Sequence, residues 1–104
     1  MQKTVTINTA NNTTTNVTTY TVAQFNAKYC ATNVDISKLY NANIKYVVTL
    51  TQYNSNNKLI AQNSNFIFIL ANGDCALGLS NKRLFITNNY MHALTYTLKN
   101  MCYV

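Results

Sequence analysis

The stretch that decides the fold is Ile44-Lys45-Tyr46-Val47-Val48-Thr49-Leu50-Thr51-Gln52-Tyr53. Its side chains alternate with a period of two, which is typical of a β-strand with one face on a hydrophobic core. The core row contains Ile44, Tyr46, Val48 and Leu50, and the opposite, largely polar row contains Lys45, Val47, Thr49, Thr51 and Tyr53.

The residues after this strand predict two hairpins. Asn54-Ser55-Asn56-Asn57 has the composition of a turn, and Lys58 to Gln62 then returns beside the first strand. Phe66 to Leu70 is apolar on both alternating rows, as expected of a central strand covered on both faces. Asn72-Gly73 favours a tight turn because both residues tolerate a positive φ. We therefore expect Cys75 to Leu79 to pair with Phe66 to Leu70.

The N-terminal region predicts two more strands and a short helix. Val5 and Ile7 alternate with polar residues as in a half-buried strand, and the polar run Thr9 to Asn16 reads as a loop. Val17 to Val22 alternates again. Thr21 can cap a helix over Val22 to Tyr29 that places Phe25 and Tyr29 on one face.

Helical segments are also predicted later in the chain. Asp35 can begin a turn of helix that continues through Leu39 and Tyr40. The spacing of Met91, Leu94, Leu98 and Met101 predicts an amphipathic helix, with Asn88 or Thr87 as its N-cap. A strand over Leu94 to Leu98 is the alternative, because Thr95, Tyr96 and Thr97 favour extended structure.

Length and composition place these elements in one small domain, residues 1–104. The chain has no Pro, two Gly, 18 Asn and 15 Thr, a composition that favours strands joined by polar turns. The predicted fold class is α+β, an antiparallel sheet of four to five strands with a C-terminal helix and with an OB-like arrangement as one option.

The charge balance indicates the class of partner. Eight Lys or Arg face two carboxylates, Asp35 and Asp74, which gives a formal net charge of +6. Such a chain attracts polyanions, and nucleic acid is the leading candidate. Single-stranded nucleic acid is bound by aromatic rings that stack on bases and by cations that hold phosphates. The residues predicted to hold phosphates are Lys45, Lys58, Lys82 and Arg83, and those predicted to stack on bases are Tyr53 and Tyr40.

The sequence disfavours catalysis, metals and cofactors. Asp35 and Asp74 lie far apart, and His92 is the only histidine, so a metal site would need the scattered Cys30, Cys75 and Cys102. A cysteine nucleophile paired with His92 stays open, because such partners meet in space. Two glycines leave no phosphate-binding loop. We expect a non-enzymatic protein without cofactor or metal.

The residues from Ile69 to Ser80, ILANGDCALGLS, followed by an amphipathic stretch to Leu94, resemble small single-stranded DNA-binding proteins of tailed bacteriophages. The resemblance covers about a quarter of the chain and consists of a strand, an Asn-Gly turn, a second strand ending in Ser, and a helix. It implies a small OB-like fold that coats exposed strands without strong sequence preference. An aromatic residue common in that family near the position of Ala76 is absent.

The sequence therefore predicts a single-stranded nucleic-acid-binding protein. The excess of Asn, Ile, Tyr, Phe and Lys over Gly, Ala, Pro and Arg is typical of an AT-rich genome, which suggests a viral origin. A small protein-interaction module, such as an inhibitor of a host enzyme or defence complex, and a virion or assembly component are the alternatives. A homo-oligomer or a host protein is thus a further partner to consider. Without a signal peptide or a membrane-spanning run in the sequence, an intracellular location is expected.

Overall fold

The computed structural model describes residues 3–9, 12–28, 43–79 and 82–104, and for residues 3, 8 and 9 the backbone alone. The predicted turn of helix over Asp35 to Tyr40 lies outside these residues. Eight strands and two helices are present: β1 (Lys3–Thr9), β2 (Thr13–Thr21), α1 (Val22–Lys28), β3 (Ile44–Tyr53), β4 (Leu59–Asn63), β5 (Phe66–Leu70), β6 (Cys75–Leu79), β7 (Lys82–Thr87), α2 (Tyr90–Lys99) and β8 (Met101–Tyr103).

The strands form one antiparallel sheet in the order β1-β2-β3-β5-β6-β7. This confirms the predicted α+β class with a C-terminal helix, although the sheet has eight strands rather than four or five. The described part of the sheet is open, with β1 and β7 at the two ends of this strand order, and so differs from the OB-like option. The N-terminal strand and helix and both hairpins are found where they were predicted.

The sheet branches at β3. The first half of this strand pairs with β5, from Ile44↔Leu70 to Val48↔Ile67, and its last three residues pair with β4. β8 then pairs with β4. At the branch, the side-chain oxygen of Asn63 accepts a 3.0 Å hydrogen bond from the backbone N–H of Leu50, and its amide nitrogen donates to the backbone oxygen of Asn65. Leu50 lies between the part of β3 that pairs with β5 and the part that pairs with β4. The Asn63 side chain therefore supplies the hydrogen bond that a neighbouring strand would otherwise make with its N–H.

Two hydrophobic cores lie on opposite faces of the sheet. Helix α2 covers the first, in which Val48, Leu50 and Leu77 are buried with Ala93 and Leu94 of the helix. Helix α1 covers the second, where Phe25 packs with residues of β2, β3, β5 and β6. The members of this second core are Tyr20, Phe25, Val47, Phe68, Leu70 and Ala76.

The second core corrects the sequence interpretation of β3. Val47 lies on the face predicted to be largely polar, yet it is buried beneath α1. A bulge at Lys45 also separates Ile44 from Tyr46, because Ile44 pairs with Leu70 while Tyr46 already pairs with Ile69. Ile44 therefore packs on the second core rather than beside Val48 on the first.

The helix ends follow local hydrogen bonding. Thr21 Oγ1 accepts from the N–H of Gln24 at 3.2 Å, and Gln24 Oε1 accepts from the N–H of Thr21 at 3.0 Å, a capping box that confirms Thr21 as the cap of α1. Helix α2 is capped by Asn89, whose side chain accepts from the N–H groups of Met91 and His92. The prediction of Asn88 or Thr87 was off by one or two residues.

Three further segments differ from the sequence expectations. Thr13 to Asn16, predicted as loop, belongs to β2, and β7 was not foreseen. Helix α2 is confirmed over the strand alternative, but it ends at Lys99, so Met101 is buried in β8 instead. In the β5–β6 turn the N–H of Gly73 donates to the oxygen of Leu70 at 2.9 Å. Of the two turn residues predicted to tolerate a positive φ, Gly73 adopts one, of 93°, and Asn72 does not.

Candidate functional site

The side of the β1–β2–β3 sheet that carries α1 contains a block of polar residue positions beyond the helix, in which Asn8 is placed by its backbone register. The cross-strand register sets three rows side by side: Thr4, Thr18 and Thr49, then Thr6, Asn16 and Thr51, then Asn8, Thr14 and Tyr53. We call these nine positions the polar grid. Every one is Thr, Asn or Tyr, so the grid is uncharged and lacks aliphatic residues.

The grid is ordered by its own hydrogen bonds and open to solvent on the β1 side. Thr4 Oγ1 and Thr18 Oγ1 are 3.2 Å apart, and Thr6 Oγ1 donates to Asn16 Oδ1 at 3.0 Å. Thr4 and Thr6 are exposed, whereas Thr18 is buried. The exposed hydroxyls and the Asn16 amide can therefore donate hydrogen bonds to a ligand.

Tyr53 and Lys58 lie together at one end of the grid. Tyr53 is half-buried at the last position of β3, and Lys58 is exposed at the end of the following turn. The turn is closed by a 3.0 Å bond from the N–H of Asn54 to the oxygen of Lys58, while Asn54 Oδ1 accepts from the N–H of Lys58 at 3.0 Å. The structure thus brings a phenol and a cation to the same edge of the grid.

Lys45 does not join this pair. It lies in the bulge at the start of β3, exposed, with its Nζ 5.5 Å from the centroid of the Tyr46 ring. Eight residues of extended strand separate Lys45 from Tyr53, a distance of about 26 Å. The sequence interpretation placed both residues on one row of β3, but their spacing along the strand puts them at its opposite ends.

Lys82 and Arg83 are a separate basic point. Both are exposed at the start of the edge strand β7. Strands β5 and β6 lie between β7 and β3, so three strand spacings, about 14 Å, separate this pair from Tyr53 even before displacement along the strands. Tyr40 lies outside the described residues. Of the five predicted site residues that the structure describes, only Tyr53, a member of the grid, and Lys58 beside it are brought together.

Negative charge is remote from the grid. Asp74 is the one carboxylate side chain among residues 3–9, 12–28, 43–79 and 82–104, and it lies in the β5–β6 turn. There its backbone N–H donates to Asn72 Oδ1 at 2.9 Å and its carboxylate accepts from the Asn72 amide at 3.2 Å. That turn follows Leu70, the partner of Ile44 at the far end of β3 from Tyr53. A polyanion on the grid meets no described carboxylate side chain.

The described side chains form no cluster of three or more His, Cys, Asp or Glu that could hold a metal ion. His92 is exposed on α2, beside Phe85, Tyr96 and Lys99 in a shallow depression. Neither of the described helices is long and apolar enough to cross a membrane.

The cysteines differ in environment. Cys102 is exposed, and Cys30 lies outside the described residues. Cys75 is buried, and this burial, with the nearby Asp74 carboxylate as the smaller cause, raises the pKa of its thiol above the ordinary 9.0. A buried thiol with a raised pKa is a poor nucleophile at neutral pH.

We predict that this thiol makes the fold sensitive to alkali. Because the folded pKa of Cys75 exceeds the unfolded value, its contribution to stability is complete below about pH 9 and is lost as the pH rises through the folded pKa. Urea unfolding at pH 8 and at higher pH should show a smaller loss of stability in Cys75→Ala than in the wild type. Tyr90, whose pKa is also raised by burial, remains in both proteins. An equal loss of stability in the two proteins would mean that ionisation of Cys75 is not the cause of the alkali sensitivity.

The sequence interpretation missed the polar grid. The signal was present, since Thr4 and Thr6 alternate with Val5 and Ile7, but Thr14 and Asn16 were assigned to a loop. The alignment of three strands into rows depends on the β1–β2 turn, which alternation in a single strand does not reveal.

Comparisons with known proteins give no relatives. No family model, no curated protein sequence and no solved structure matches the chain.

Proposed function

We propose that this protein is a non-enzymatic binder of single-stranded nucleic acid, of viral origin, and that the strand lies along the polar grid with Tyr53 and Lys58 at one end. The bound strand contributes phosphates to the hydroxyls and amides of the grid and to Lys58. Tyr53 offers its ring to a base. The resemblance of the β5–β6 hairpin to phage single-stranded DNA-binding proteins is a separate support.

The observation that carries the proposal is an uncharged, hydrogen-bonding sheet surface on a chain with a net charge of +6. The excess charge attracts a polyanion over long range, and Thr, Asn and Tyr side chains are common partners of phosphate oxygens. An uncharged surface of this kind holds the backbone of a strand without reading its sequence. The stacked base at Tyr53 adds about 1–3 kcal/mol regardless of base identity.

Fluorescence anisotropy with a labelled oligo-dT at two salt concentrations tests the proposal. Tyr53→Ala is expected to weaken binding by about 5- to 150-fold, the loss of one stacked base. Lys58→Gln is expected to reduce the slope of log K against log salt by about 0.7, the loss of one phosphate contact on a single strand. The matched controls are Tyr103→Ala and Lys99→Gln, because Tyr103 and Lys99 are exposed and lie off the grid. These two control variants should leave the affinity for oligo-dT and its salt dependence unchanged.

The outcome that contradicts the proposal is equally direct. If oligo-dT fails to bind at moderate salt, or if Tyr53→Ala and Tyr103→Ala have equal effects, the grid is not the site. Duplex competitor should displace oligo-dT poorly, since an open strand can lie flat on the grid.

Lys82 and Arg83 form a second proposed phosphate contact, tested separately because of their distance from the grid. Replacing both with Ala should weaken binding and flatten its salt dependence, leaving the fold intact. An unchanged salt slope would remove the pair from the site and limit the bound strand to the β1–β2–β3 side.

A protein-interaction or assembly role is the second candidate, and the exposed edge strand β1 favours it. Val5 and Ile7 are 49% and 43% exposed on this strand, although their alternation predicted a half-buried one. A protein whose main role is docking a partner here would ignore oligonucleotides at moderate salt. Its binding would depend on Ile7 rather than on Tyr53.

A further inference from the structure

Strand β1 is an edge without the usual protection. Its register with β2 runs unbroken from Lys3↔Thr19 to Thr9↔Thr13, and Thr4 to Thr9 contains no charge and no Pro. The opposite edge, β7, starts with Lys82 and Arg83 and is interrupted by a register shift against β6. Charges and bulges are the common means of preventing an edge from pairing with another strand. Strand β8 is a third described edge, but it has only three residues, so β1 is the edge suited to accept a partner strand.

The apolar face of β1 borders an open groove. Val5 and Ile7 form one wall, and Tyr90 and Leu94 of α2 form part of the other, around a volume of about 420 Å³. Met91 is largely exposed beside it. A contiguous set of exposed apolar residues next to a free strand edge marks a protein-docking surface rather than a solvated one.

We propose that a second copy of this chain occupies this edge, its β1 pairing antiparallel with the first about a two-fold axis at Thr6. In that register Val5 faces Ile7 of the other copy on the apolar side, and Thr4 faces Asn8 on the polar side. Thr6 faces itself. Each row therefore meets a row of its own kind, so the surface is self-complementary, as a two-fold interface requires.

The charge of the chain does not oppose this pairing. Lys3 is the only cation in β1, and in the two-fold register it lies opposite Thr9. The two copies of Lys3 are then six residues apart along the strands, about 20 Å, which exceeds the screening length of about 8 Å at physiological salt. The remaining described cations lie beyond β2 or on α1 and α2.

The size of the contact sets the expected strength. A seven-residue strand is about 23 Å long, and a sheet with a helix on it is about 20 Å thick, so each copy covers roughly 450 Å². The total of roughly 900 Å² falls below the standard size for stable complexes. We therefore infer a reversible, concentration-dependent dimer in which the two polar grids join into one continuous face. This inference does not depend on nucleic-acid binding.

Sedimentation equilibrium of the nucleic-acid-free protein, from about 1 µM to about 1 mM, should show a monomer–dimer equilibrium. Ile7→Lys should raise the dimer dissociation constant at least about tenfold, because it places a charge on the apolar row of β1. The matched control is Ile86→Lys, on the other edge strand at 36% exposure, which should leave the equilibrium unchanged. Circular dichroism checks that both variants fold. Added salt should preserve the dimer, whereas it weakens oligonucleotide binding.

Cross-linking tests the register itself. In a background with Cys30 and Cys102 replaced by Ser, Thr6→Cys should form a covalent dimer with a short thiol cross-linker, because two opposed Cβ atoms lie about 5 Å apart. Thr4→Cys should not, since its two copies are about 13 Å apart.

A monomer at every concentration overturns the proposal and leaves the edge to a different partner. A dimer disrupted by Ile86→Lys rather than by Ile7→Lys, or cross-linked through Thr4→Cys rather than Thr6→Cys, overturns it as well. A protein that stays monomeric but still binds oligo-dT would contradict the dimer and leave the proposed nucleic-acid binding intact.

Discussion

Replacing Leu77 with alanine is expected to lower the free energy of unfolding by about 3–5 kcal/mol. Leu77 is fully buried at 0% exposure, in the core that α2 covers, among side chains of β3 and β5. Its removal leaves a cavity that two packed layers cannot readily close, which adds to the lost transfer free energy. A domain of this size has about 5–15 kcal/mol of stability in total, so the variant should be marginal or unfolded at moderate temperature.

The same strand provides the control. Leu79, also in β6, is 36% exposed, and Leu79→Ala removes the same atoms from a site that water already reaches. Urea unfolding should show a loss below about 1.5 kcal/mol for this variant. Equal losses for the two variants would mean that the packing of α2 on β6 is not as described.

Asn63→Ala is expected to cost about 2–3 kcal/mol, far more than a half-buried polar residue usually does. The Asn63 side chain accepts from the N–H of Leu50 and donates to the oxygen of Asn65. Leu50 is fully buried, so its N–H has no access to water once the amide is gone. An unsatisfied buried donor is penalised more than an ordinary hydrogen bond is worth.

Gln62→Ala is the control, because Gln62 is the neighbouring residue of β4 but exposed. It should change stability by less than about 0.5 kcal/mol. Urea unfolding measures both variants, and amide exchange of the Leu50 N–H gives a local readout. If that amide exchanges no faster in Asn63→Ala than in the wild type, the proposed bridge does not protect it.

The sequence predicted those elements whose pattern is local. Phe66 to Leu70 is apolar on both rows, and the structure confirms it as a central strand between β3 and β6. Thr21 with Gln24 fixed the start of α1 by contacts three residues apart. Helix α2 prevailed over the local strand preference of Thr95 to Thr97 because Ala93, Leu94 and Thr97 bury one face against the sheet. Of the predicted stripe, Leu94 is buried, but Met91 is 64% exposed.

Features that depend on distant partners could not be predicted in this way. Val47 is buried because α1 packs over it, and the residues of β3 give no indication that a helix covers this face. The bulge at Lys45 moves Ile44 to the other face, whereas strict alternation assumes an unbroken strand. The position of Arg83 relative to Tyr53 could not be predicted either, because it depends on the strand order that puts β5 and β6 between β3 and β7.

The branching of the sheet at β3 separates a main sheet, in the order β1-β2-β3-β5-β6-β7, from an arm formed by β4 and β8. In this arm β4 pairs with β3 through three residue pairs and with β8 through three more, and Ala61 of β4 and Met101 of β8 are buried in the core that α2 covers. We therefore expect local unfolding to begin after the buried Met101, where Tyr103 and Val104 are 74% and 82% exposed. The tail of the chain can loosen or be cleaved while the paired β2–β3–β5–β6 layer stays folded.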